Sequence, residues 1–174
     1  MIVIADAGPL IALAKIGGLE PLHQLYAPIL ITPAVYDEAI TAGLALGADD
    51  ASLLNAEHKR AMFEVRVPAL MTLPVPALLG LGEAESIRLA IELRADWLLI
   101  DDFDARRAAG DNFASAGVST LIQGALGIIV SAYQAGHLTR EKAVEQIEAL
   151  KARPDIWISA ELCDRVIDSL KQAP

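Results

Sequence analysis

A three-layer α/β/α sandwich around a central parallel sheet is the α/β architecture this chain predicts, and three observations point to it. Short β-branched or leucine-rich runs alternate with stretches whose apolar residues recur at helical spacing, the β-α-β-α rhythm that yields a parallel sheet. The strongest runs, Ile2-Val3-Ile4 and Trp97-Leu98-Leu99-Ile100, contain no polar alternation, as expected of strands buried on both faces. The composition agrees: 54% of residues are hydrophobic and the mean hydropathy is +0.42, which suits a sheet covered on both sides. At 174 residues the chain fits a single domain, 1–174, with its C-terminal helices packed on the sandwich.

Ile2-Val3-Ile4 forms the first strand and stops at the turn sequence Asp6-Ala7-Gly8-Pro9. Leu10 to Ile16 is a short helix closed by Gly17-Gly18, and Leu19 to Tyr26 is a second. Ile29-Leu30-Ile31 is the next strand. Thr32 then caps a helix with Pro33 at its first position, and Glu38 lies at the edge of its apolar stripe of Val35, Ala39 and Ile40. The region from Ala42 to Leu81 is the least regular. A helix is expected from Ala51 to Glu64, and Val65-Arg66-Val67 with Leu70-Met71-Thr72 forms a short edge strand, because Pro68, Pro74 and Pro76 disfavour a central one. A helix from Gly82 to Arg94 buries Ala84, Ile87, Ala90 and Ile91 and leads into the strand Trp97 to Ile100. A helix over Asp104 to Ala114 and a weak strand at Val118-Ser119 continue the alternation. Helices near Leu121 to Gln134, Thr139 to Leu150 and Ser159 to Lys171 close the chain.

Several functional classes are disfavoured. Charges, prolines and glycines interrupt every apolar stretch before the ~20 residues that a membrane helix needs. Asp6 and Pro9 break the amino terminus before a signal-peptide core could form, so the expected location is cytoplasmic. Cys163 is the only cysteine and is read as a packing residue. His23, His58 and His137 show no ligand spacing and are read as surface residues. No phosphate-loop or dinucleotide glycine motif occurs, and the few aromatic residues are too dispersed to predict a base-stacking platform. A net charge of −9 argues against broad nucleic-acid binding, although cations held by the acids would offset part of it. Arg106-Arg107 and Lys59-Arg60 are the candidate phosphate contacts. The apolar stripe of the Leu121 to Tyr133 segment is explained equally by core packing and by a homodimer face.

Acids recur where strands end or helices begin: Asp6, Glu38, Glu85, and the pair Asp101-Asp102. Ligands of open parallel sheets bind outside the carboxyl ends of the strands, so an acid there faces a site. Each has an ordinary reading too, Asp6 and Asp101-Asp102 as helix caps, and Glu85 as a helix-surface partner of Arg88. Glu83 reads simply as a favourable charge at a helix amino terminus. Three acids within Asp101 to Asp104 exceed what one cap requires. Carboxylates that converge repel one another unless a cation sits between them, and hard oxygen ligands suit Mg²⁺ or Mn²⁺.

The segments Asp6-Ala7-Gly8-Pro9-Leu10-Ile11-Ala12-Leu13-Ala14-Lys15, Pro33 to Glu38, Gly82 to Ile87, Leu98 to Asp102 with Arg106-Arg107, and Trp157-Ile158-Ser159 together resemble prokaryotic PIN-domain proteins of the DUF3368 type. The resemblance implies an α/β/α sandwich and an RNA-cleaving enzyme that uses Mg²⁺ or Mn²⁺, often a toxin paired with a small antitoxin. It makes Asp6, Glu38, Glu85 and Asp101 the catalytic acids, with Asp6, Glu85, Asp101 and Asp102 as metal ligands. Arg106 and Arg107 would contact substrate. Which of Asp101 and Asp102 points inward stays open. One departure stands out: toxin-type members usually carry a hydroxyl or amide residue two places after the first aspartate, where this chain has Gly8. A degenerate binding module is therefore the alternative to a nuclease. A phosphoryl-accepting receiver domain fits less well, because the acidic pair comes late and no lysine follows a core strand.

Overall fold

The computed structural model describes residues 1–69 and 78–172. Strands β1 (Val3–Ala5), β2 (Ile29–Ile31), β3 (Phe63–Val65), β4 (Trp97–Leu99) and β5 (Leu121–Gln123) form one parallel sheet in the order β3-β2-β1-β4-β5. The order reverses at β1, so a crevice opens between the carboxyl ends of β1 and β4. Successive residues of a strand face opposite sides. Val3 and Ala5 accordingly join one buried cluster while Ile4 joins the other, and β1 has no solvent-exposed face.

On one side pack α1 (Ala7–Lys15), α2 (Leu19–Tyr26), α5 (Asp49–Lys59) and α8 (Ala125–Gln134), with α9 (Arg140–Ala152) and α10 (Ala160–Gln172) beyond them. On the other lie α6 (Leu81–Leu93) and α7 (Phe103–Ala116), whose Ile87, Ala90, Ala105 and Ala109 cover Leu98 and Ile100. The expected α/β/α layering is thus present. The Thr32 cap is present as well: its hydroxyl accepts from the Val35 N–H at 3.3 Å, with Pro33 opening α3 (Pro33–Tyr36). That helix does not stay regular. It widens into a π-helical segment, Asp37–Ala42, before resuming as α4 (Gly43–Ala45), and this shift in phase sets where Glu38 points.

Three local expectations are corrected. The helix foreseen from Ala51 to Glu64 stops at Lys59, because Ala61 adopts a left-handed φ of 60° and turns the chain back. Phe63 then enters the sheet opposite Ile29, fully inside the core, and the edge strand falls earlier than the Val65 to Val67 run suggested. Leu70 to Thr72 lie outside the described residues. The last strand is Leu121–Gln123, not Val118-Ser119, and α8 begins only after Gly124. Gly117, at φ 62°, closes α7, and the Thr120 hydroxyl donates to the Ala95 carbonyl at 2.7 Å, carrying the chain past Ser119 before pairing with β4 begins.

His23 is not a surface residue. It packs on Phe63 with ring centroids 5.3 Å apart, its Nε2 lies 3.3 Å from Glu57, and burial holds its pKa below the ordinary histidine value. His58 is partly buried against Tyr36, with ring centroids 5.0 Å apart, whereas His137 is exposed as expected. Cys163 is buried. The α8 stripe, Ile128, Ile129 and Ala132, is spent on the core. Among the described residues no helix is long and apolar enough to cross a membrane.

Candidate metal centre

β1 and β4 are parallel neighbours, and the Asp6 N–H donates to the Leu99 carbonyl at 2.9 Å, locking the two strand ends side by side. Asp6 therefore stands at the reversal of strand order. It caps α1: one carboxylate oxygen, Oδ2, accepts from the Gly8 N–H at 3.4 Å. Asp101, just past β4, uses Oδ1 to accept from the Ala125 N–H at 2.7 Å, at the start of α8. Asp102 caps α7 by accepting from the Ala105 N–H at 2.8 Å. The capping reading therefore holds for Asp6 and Asp102, whereas Asp101 serves not the helix that follows it but α8. A cap occupies one oxygen and leaves the other available, and three helix amino termini converge with their favourable fields on one crevice.

The oxygen that capping leaves on Asp6 is the telling one. Oδ1 is buried and has no hydrogen-bond partner. It lies 3.3 Å from where a Cβ on Gly82 would stand, and Glu38 Oε2 lies 3.3 Å from that same point. The glycine lets α6 press against both carboxylates, where a methyl group would crowd them. Burial pushes the Asp6 carboxyl up to about 7, and Glu38 and Glu83 add to the effect. Glu83 is raised in turn, mainly by burial and then by Asp102, Glu38 and Asp104, although its Oε2 accepts from the Gly80 N–H at 2.8 Å. Asp101 is raised by burial against the opposing pull of the Ala125 N–H and Arg106.

Asp6, Glu38, Asp101, Asp102 and Arg106 all line one groove of about 1050 Å³, joined by Glu83. Glu85 is not among its walls. Two residues along α6 correspond to about 200° of rotation, so Glu83 and Glu85 leave opposite sides of the helix. Glu85 is buried and accepts from the Ala34 N–H at 3.2 Å, sealing the amino terminus of α3. Arg107 is exposed and outside the groove, as are Lys59 and Arg60, the latter paired with Glu57 at 3.0 Å. The dispersed aromatics are partly gathered: Phe103 and Trp157 both line the groove. Gly80 and Gly82 around Glu83 were the available signal for the missed acid. Gly82 marks where α6 lies close against the Asp6, Glu38 and Val35 side chains, but periodicity could not show which carboxylate shared that side.

The family model for DUF3368, a PIN domain, matches residues 2–172. The chain belongs to this family of PIN domains. No curated protein and no solved structure matches it. PIN domains are generally nucleases and typically use divalent metals, and the residues of this PIN domain suit such an ion. The donors are all oxygens, and Asp6 presents a buried, unpartnered one. Among the described residues no three carboxylates gather closely enough to enclose an ion alone. Mg²⁺ does not require that, since it usually keeps several waters and takes one or two protein carboxylates.

Proposed function

We propose that this PIN domain is a Mg²⁺- or Mn²⁺-dependent endoribonuclease that hydrolyses RNA phosphodiester bonds and serves as the toxin of a toxin–antitoxin pair. The observation that carries the nuclease reading is the orphaned Asp6 Oδ1, buried among other acids at the reversal of strand order. In this reading Asp6 and Asp101 are the direct ligands, held in place by the helix amino termini they cap. Glu38, Glu83 and Asp102 bind and orient the ion's remaining waters, and Glu83 takes the role expected of Glu85. A divalent ion there supplies charge neutralisation at the scissile phosphate and lowers the pKa of the attacking water. Arg106, the groove's cation, binds a phosphate oxygen of the substrate. Toxin activity and capture by a small antitoxin rest on the family resemblance.

Asp6→Asn should lower Mn²⁺-dependent cleavage of single-stranded RNA by about 100-fold or more, with the circular dichroism spectrum unchanged. Glu83→Gln should lower it as well, whereas Glu85→Gln should leave turnover within a few-fold. Cleavage by Asp6→Asn at the wild-type rate would sink the reading. Gly8, which lacks the hydroxyl or amide usual at this place, favours the second reading, a degenerate binding module. Calorimetry separates the two: a module of that kind shows no Mn²⁺ binding that disappears in Asp6→Asn.

A further inference from the structure

We propose that Phe103 and Trp157 are base-stacking positions, so that the groove grips unpaired bases on the strand whose phosphate reaches the acids. This rests on the nuclease reading and adds the groups that hold the substrate. The two rings come from distant parts of the chain, Phe103 from the first turn of α7 beside Asp102 and Trp157 from the segment between α9 and α10. Both line the groove that contains Asp6. Phe103 is 76% exposed and Trp157 is 98% exposed, so neither serves the core.

The Trp157 segment is nevertheless fixed. Lys15 donates to Asp155 at 2.7 Å, and Arg153 grips the same carboxylate with two bonds of 2.9 Å. Ile156 and Ile158 pack against the core on either side of the tryptophan. The Ile158 N–H donates to the Ile156 carbonyl at 3.1 Å, a γ-turn centred on Trp157 that leaves the indole projecting outward. The backbone is ordered in advance, so binding has only the side-chain torsions of the indole left to fix.

A nucleic-acid strand carries groups that suit both parts of this groove. Phe103 sits between Asp102 and Asp104 beside the acids, whereas Trp157 stands with Ile156, Ile158, Leu162 and Val166 on the groove's apolar wall. Exposed planar rings in the same groove as these acids and Arg106 match a strand with planar bases and anionic phosphates, the phosphates meeting the acids through a bound cation. Paired bases are already stacked, so the groove would select single strands.

The test measures KM and kcat for a short single-stranded oligouridylate with Mn²⁺, using the full chain. Trp157→Ala and Phe103→Ala should each raise KM about 10-fold with little change in kcat, and Trp157→Phe should restore most of the loss. Abasic residues flanking the cleaved bond should raise KM for the wild type but not further for the double alanine variant. Unchanged KM in both alanine variants, or equal losses on abasic and intact RNA, overturns the stacking role and leaves the nuclease standing. Failure of the wild type to cleave at all overturns the nuclease reading and this one with it. Loss in Trp157→Ala of binding to the protein encoded beside this gene, with KM unchanged, assigns the ring to a protein interface and likewise overturns the proposal.

Discussion

Gly8 is the residue where this chain departs from the pattern of toxin-type PIN domains, and the space around it is measurable. A Cβ there would lie 3.6 Å from Asp101 Cβ and 3.8 Å from both Asp6 Oδ2 and Asp101 Oδ2, ordinary contact distances. Gly8→Ser therefore fits without displacing its neighbours. It would place a hydroxyl between two carboxylates of the proposed metal centre and remove a helix glycine worth about 0.5 kcal/mol relative to serine. The variant should melt at a slightly higher temperature and bind Mn²⁺ about 2- to 10-fold more tightly, the value of one added hydrogen bond. Weaker Mn²⁺ binding in calorimetry would refute this account of the position. Gly82 and Gly124 are different. Their Cβ positions lie 3.3 Å from Asp6 Oδ1 and 2.5 Å from Asp101 Oδ1, so a side chain at either would push on a proposed ligand.

At the scale of elements, the rod formed by α3, the π-helical segment and α4 places Glu38 in the groove, and its far end depends on close contact with α5. A Cβ on Gly43 would come 2.5 Å from the Ala51 Cβ, a distance that two carbon atoms do not sustain. Gly43→Ala must part the two helices, although alanine is the better helix former. It should destabilise the protein by about 1–3 kcal/mol in urea titration, and the displaced rod should lower Mn²⁺ affinity. A stabilised Gly43→Ala would mean that the helices are not so closely apposed. The same scale explains the partial legibility of the sequence. Strands β1, β2 and β4 and helix α2 could be read because their apolar runs and punctuation agree with their environment. β3 could not, because Phe63 looks like the end of an amphipathic helix until the sheet offers it Ile29 as a neighbour.

For the molecule as a whole, the buried acids couple stability to pH and, in the proposed function, to metal. The native Asp6 carboxyl titrates at about 7 against an ordinary value of 3.8, so between those values the folded chain holds a proton that the unfolded chain has lost. Stability of the metal-free protein must then fall as pH rises through that window, by about 1.4 kcal/mol for each unit of displacement as an upper bound, and the cost is complete above about 7. Asp101 and Glu83, also raised, act in the same direction. His23 opposes them: its pKa is lowered, so the unfolded chain protonates first as pH drops below 6.5. Comparison with Asp6→Asn, which retains His23, isolates the aspartate. At pH 8 without metal the asparagine variant should melt above the wild type, and Mn²⁺ at 100-fold over Kd should stabilise the wild type by about 3 kcal/mol without moving the variant, closing most of that gap. Thermal melts across pH 5 to 8 that coincide for the two proteins would refute the coupling.

By itself the chain determined that a parallel sheet would form, that Asp6 and Asp101 would follow its two central strands, and that both would sit at helix starts. Those features follow from local chemistry: β-branched runs, caps and turn residues act over a few positions. Only the tertiary structure decided that Glu83 and not Glu85 faces Asp6, and that Arg106 and not Arg107 enters the groove. It also decided that Phe103 and Trp157 stand in one cleft. Each depends on the rotation of a helix about its axis or on the meeting of distant segments, and packing against the rest of the molecule sets both.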